Sequence, residues 1–102
     1  MIQLETQTQW STAEAIDAAE QFFGPGGLGL EVQSRDRRQI YLAGGGGSVG
    51  VSASQTAPDK PTVIQIQARE WESAARAFLQ QVPAVRGRSV WARLLERFGG
   101  GS

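Results

Sequence analysis

Polar and apolar positions alternate over the first eight residues. Ile2, Leu4, Thr6 and Thr8 fall on one side, and Gln3, Glu5 and Gln7 on the other. This period of two is that of a half-buried strand, and Trp10 ends it. Ser11-Thr12-Ala13-Glu14 follows with capping-box spacing, so the Ser11 hydroxyl is set to accept from the Glu14 amide and the Glu14 carboxylate to reach back. Trp10 and Ala15 stand where a hydrophobic staple would close. The period then changes: Ala15, Ile16, Ala19, Phe22 and Phe23 form an apolar helical stripe, with Asp17 and Glu20 facing away. Gly24-Pro25-Gly26-Gly27 stops the helix, and Gly24 is expected as its left-handed cap.

Leu28, Leu30 and Val32 alternate with Gly29, Glu31 and Gln33, which predicts a second strand. Ser34 to Arg38 reads as a polar turn. Ile40 and Leu42 mark a third strand with Tyr41 on its other face, and the short connection favours an antiparallel hairpin. Gly44 to Gly47 interrupts the pattern, and Val49, Val51 and Ala53 resume it. Residues 54–61 read as an exposed loop. Thr62 to Ala68 is the clearest strand, with Ile64, Ile66 and Ala68 alternating with Val63, Gln65 and Gln67. From Glu70 the spacing is helical again, with Trp71, Ala74, Ala75, Phe78, Leu79 and Val82 on one face until Pro83. Beyond the connection at Arg86-Gly87-Arg88, Ser89 is placed to cap an expected last short helix with Val90, Trp91, Leu94, Leu95 and Phe98 on its apolar side.

The order β-α-β-β-β-β-α-α with hairpin-length connections predicts a two-layer α+β domain. An antiparallel sheet of about five strands would carry helices on one face and meet water with the other. A single domain over residues 1–98 is expected, with 99–102 a flexible Gly/Ser tail.

Composition narrows the chemistry. With 40% hydrophobic and 20% charged residues the 102-residue chain is globular in character, not disordered. It holds no Cys and no His. That excludes disulfides, zinc–thiolate sites, thiol nucleophiles and the commonest general base near neutral pH. Catalysis, a metal centre and a cofactor are therefore not expected. No apolar run approaches the ~18 residues of a membrane span, and the first residues lack the basic and apolar regions of a signal peptide. A cytoplasmic location is expected. Net charge is zero, but residues 1–60 carry −3 and residues 61–102 carry +3. All but one of the basic residues are Arg, a bias that suggests a GC-rich bacterial genome.

Several features invite a functional reading. Gly44-Gly45-Gly46-Gly47-Ser48 reads as a flexible hairpin, with an anion or ligand loop as the alternative. A phosphate cradle would need a following Lys and helix, and an alternating strand follows instead. Arg35-Asp36-Arg37-Arg38 reads as a solvated turn or a partner-binding edge. Arg86, Arg88, Arg93 and Arg97 flank an amphipathic segment suited to packing on the sheet or on the preceding helix, with a partner or dimer contact, or a membrane surface, as the alternatives. Nucleic acid and membrane are not the expected partners, since Glu31, Asp36 and Glu96 break up the basic stretches. Glu14, Asp17 and Glu20 read as an ordinary solvated helix face. The residues expected to carry binding are Arg35, Arg37, Arg38, Tyr41, Gly45, Gly46, Arg86 and Arg88.

One set of spacings resembles a known group. Trp10 precedes the first helix. Arg35-Asp36 is followed by Gln39-Ile40-Tyr41-Leu42-Ala43 and the glycine run. Glu70, Ala74, Ala77 and Phe78 lie on the later helix, and Trp91 closes the pattern. This resembles the small bacterial immunity proteins of polymorphic toxin systems, in particular the Imm1-like group. The resemblance implies a cytoplasmic protein that binds and neutralises a cognate toxin domain. The sequence-based expectation is thus a small non-enzymatic protein-binding domain. Its alternatives are a self-associating structural or accessory subunit, and a small-ligand-binding domain using the Gly44–Gly47 loop.

Overall fold

The computed structural model describes residues 1–83. The expected third helix, Arg86, Arg88 and the Gly/Ser tail lie outside the described residues. Within them the chain forms β1 (Ile2–Thr8), α1 (Thr12–Phe23), β2 (Glu31–Arg35), β3 (Gln39–Gly44), β4 (Gly47–Ser54), β5 (Thr62–Arg69) and α2 (Glu72–Gln81). The strands make one open sheet in the order β1-β5-β4-β3-β2, and every pairing is antiparallel. This is the expected two-layer α+β arrangement, with the element order read from the sequence.

Both helices pack on one face. α1 lies over β3 and β4, and α2 over β1 and β5. The strands turn Ile40, Leu42, Val49, Val51, Ala53, Ile64, Ile66 and Ala68 toward them, all essentially buried. The helices meet through Phe22, Phe23 and Phe78, whose ring centroids lie 4.9–5.4 Å apart, within the range of favourable aromatic packing. α1 starts as the sequence indicates: Glu14 N donates to Ser11 Oγ at 3.1 Å, and Ser11 N donates to the Glu14 carboxylate at 2.7 Å.

Three local expectations are corrected. Gly24 is extended (φ −79°, ψ −165°), not left-handed. Pro25 follows it, and the proline ring drives the preceding residue to extended backbone. The left-handed glycine is Gly29, at φ +91°. Second, β2 begins at Glu31. Amides of Leu28 and Leu30 donate to Phe22 and Phe23 carbonyls at 3.0 and 2.9 Å, so the chain stays tied to the helix end and Leu28 is 44% exposed. Third, Ser34 and Arg35 belong to β2, and the turn is confined to Asp36–Arg38. Asp36 closes that turn by accepting from the amides of Arg38 (2.7 Å) and Gln39 (2.9 Å).

Candidate functional site

Strand alternation that buries one face of the sheet exposes the other. Among the described residues no helix covers that second face. Its cross-strand rows follow from the register: Gln3–Gln67–Gly50–Tyr41–Ser34, then Glu5–Gln65–Ser52–Gln39, with Ser48 and Ser54 along β4. The central strand thus presents only Gly and Ser to this side. Taller Gln and Tyr side chains rise on the two neighbouring strands, leaving a shallow groove of about 280 Å³ lined by Tyr41, Gln39, Ser52, Gln65 and Gln67. Tyr41 is 46% exposed. Its ring leans over Gly50, where an added Cβ would meet Cδ1 at 3.5 Å. Gln65 Nε2 donates to Glu5 at 3.0 Å, tying β5 to β1. The groove offers neutral amides, hydroxyls and one phenol. Such groups donate and accept hydrogen bonds without favouring a charged ligand.

The described residues among those expected to bind do not form one site. Tyr41 stands in the middle of β3 on the open face. Arg37 and Arg38 are exposed in the turn at one end of β3, while Gly45 and Gly46 turn the chain at the other, roughly 20 Å away at strand rise. Arg35 is on the helix side of the sheet. It forms ion pairs with both Asp17 and Glu20 of α1, so these carboxylates anchor an edge strand instead of only facing water. A bulge makes this possible. The β2–β3 register shifts between Val32 and Ser34, leaving Gln33 unpaired and Arg35 opposite Ile40. Without the extra residue, alternation would aim Arg35 at the open face.

The glycine run is a two-residue turn with a packing role. Gly44 pairs with Gly47, and Gly45 and Gly46 have φ of +60° and +82°, as a type I′ hairpin requires. Trp71 closes over it, donating from Nε1 to the Gly44 carbonyl at 2.8 Å. A Cβ on Gly45 would lie 2.9 Å from Trp71 Cζ2, and one on Gly47 would lie 2.1 Å from the Arg69 carbonyl oxygen. The run is small because an indole and the end of β5 lie against it.

Two carboxyls are displaced from their ordinary range. Asp36 is lowered, chiefly by the Arg38 amide and further by that of Gln39. Glu72 is lowered, chiefly by its own amide at the exposed start of α2, with the Met1 ammonium 3.5 Å away. Asp36 holds the amide of Gln39, which lines the groove, whereas Glu72 begins α2 on the other side of the sheet. No group of three Asp or Glu able to hold a metal ion occurs among the described residues, and no helix there is long and apolar enough to cross a membrane. The Gln and Ser residues around Tyr41 were legible in the sequence only as a solvent-facing alternation. Their juxtaposition requires the strand order.

Neither a family model, nor a curated protein, nor a solved structure matches the chain.

Proposed function

We propose that this is a protein-binding domain that works without catalysis and engages its partner through the open sheet face centred on Tyr41. The observation that carries the reading is the one-sided sheet. Among the described residues helices cover the five strands on one side only, and the other side offers a broad, shallow surface in which Gln, Ser and Gly surround one exposed tyrosine, with Glu5, Glu31 and Arg69 toward its margins. Small-molecule sites are usually deep and apolar, whereas tyrosine is enriched among residues that dominate protein interfaces. The sharper form is an inhibitor of a toxin domain, supported by the sequence resemblance. Of the residues carrying that resemblance, Trp10 and Phe78 serve the core, Arg35 holds α1, and Tyr41 stands on the surface.

The test compares wild type, Tyr41→Ala and Gln67→Arg as bait for the products of neighbouring genes expressed as purified domains. A stoichiometric complex weakened at least tenfold by either substitution is expected, as for the loss of an interface anchor. A complex indifferent to both places the contact elsewhere. For the inhibitor form, co-expression should relieve growth arrest by the bound domain, and Tyr41→Ala should restore the arrest.

A further inference from the structure

Ile2 and Leu4 of β1, Leu79 of α2 and Val82 just beyond it are apolar side chains buried only in part. They belong to one strip. α2 runs beside β1 in the same direction: Glu72 at its start lies 3.5 Å from the Met1 ammonium, and the Pro83 carbonyl past its end accepts from Thr8 Oγ1 at 2.7 Å. Phe78 faces α1, where it meets Phe22 and Phe23. Leu79 follows it by about 100° around the helix. It therefore turns away from α1, toward the outer margin of the helix layer where Ile2 and Leu4 rise from the sheet. One end of the strip also holds a polar group left over. Thr8 and Thr62 pair across β1 and β5, and both are buried. Thr8 Oγ1 donates to Pro83 and accepts from the Trp10 amide, whereas the Thr62 hydroxyl has no partner among the described residues. Buried hydroxyls are nearly always satisfied, because an unmet one is costly.

We propose that the chain's own residues 90–98 cover this strip, on the helix side of the sheet. The chain itself delivers them. It leaves the described fold at Pro83, held beside the Thr8–Thr62 pair. Residues 84–89 span at most about 20 Å, and β1 from Ile2 to Thr8 is about 20 Å long at strand rise. Val90 can thus be set down anywhere along the strip, and the connecting residues start where Thr62 needs a partner. What arrives fits what is there. Val90, Trp91, Leu94, Leu95 and Phe98 recur at amphipathic spacing. Charge agrees as well: residues 1–83 hold nine acids and six bases, and residues 84–102 hold one acid and four bases. A short tether gives an effective concentration in the millimolar range, which favours this segment over the same segment of a second copy in dilute solution. The open face around Tyr41 stays clear.

The full chain holds no cysteine, so Ala92→Cys accepts a nitroxide label at one place, outside the apolar set. Amide spectra of the labelled chain at about 50 µM, well below the effective concentration of the tether, read which residues the label approaches. Loss of signal is expected at Ile2, Leu4, Leu79 and Val82, with Tyr41 and Gln67 unaffected. Adding Trp91→Ser and Leu94→Ser should restore those signals, and circular dichroism checks that this variant keeps the fold. A label that quenches the Tyr41 face, or no described residue, overturns the proposal. So does quenching at the strip that appears only on unlabelled isotope-enriched chains mixed with the labelled one, which makes a second copy the occupant. None of these results bears on the Tyr41 contact, which is read by partner capture.

Discussion

Gly45 and Gly46 both hold left-handed backbone, yet they tolerate change differently. Nothing lies within 4 Å of a Cβ built on Gly46, whereas one on Gly45 strikes Trp71. Gly46→Ala should therefore cost about 1 kcal/mol, the conformational term alone. Gly45→Ala should cost clearly more, and denaturant melts of the two variants measure the difference. Asp36 makes a second residue-scale prediction. Its carboxyl, like that of Glu72, is depressed in the folded state. A depressed carboxyl contributes stability above its unfolded pKa and loses it as pH falls through the folded value. Stability should thus decline from about pH 4.5 downward, and Asp36→Asn should remove part of the drop in urea midpoint between about pH 5 and about pH 3. The capping box at Ser11 was legible because its partners are three residues apart. The backbone of Gly24 was misjudged because the rule for glycine after a helix competes with the rule for a residue before proline, and the latter prevailed. Glu70, at φ +67°, gives no sign of its conformation in sequence. It sits where β5 must turn at once into α2.

At the scale of elements, alternation located all five strands, because four of them pack one face against helices and β2 still turns the half-buried Val32 toward the core. Their limits were less legible. β2 begins late because hydrogen bonds hold Leu28 and Leu30 to the end of α1, and it ends late because Arg35 is held by α1. Both causes are tertiary. The Arg35 link spans the β2 edge and one helix turn, with all three side chains at least a third exposed. Solvent screens such pairs, so Arg35→Ala should cost less than about 1 kcal/mol, and the difference should shrink in high salt. A loss that salt leaves unchanged would show that Arg35 acts through packing of its stem. The candidate surface was half legible: Tyr41 stood out as the polar-side aromatic of β3, but its Gln and Ser neighbours come from strands far apart in sequence.

At the scale of the whole described chain, the two helices are joined at an aromatic seam. Phe78 is essentially buried and touches both Phe22 and Phe23. Phe78→Ala should cost about 3–5 kcal/mol, a large share of the roughly 5–15 kcal/mol of a domain this size. Thermal unfolding should show a much lower midpoint, with the open-face variant Tyr41→Ala as a near-neutral control. That contrast separates the two sides of the sheet: one holds the fold, and on the other no helix packs among the described residues.

The sheet order also dictates how the chain assembles in time. β2 to β5 form a meander in which each strand pairs with its successor, so those contacts close short loops. β1 pairs with β5 across nearly the whole described chain, Ile2 with Ala68 and Thr8 with Thr62. Closing so long a loop costs more entropy and slows the step that requires it. The meander is the natural nucleus, and β1 docks last. A chain that folds in this order leaves a place open beside β5 until β1 docks, and at high concentration the β1 of another molecule can compete for it.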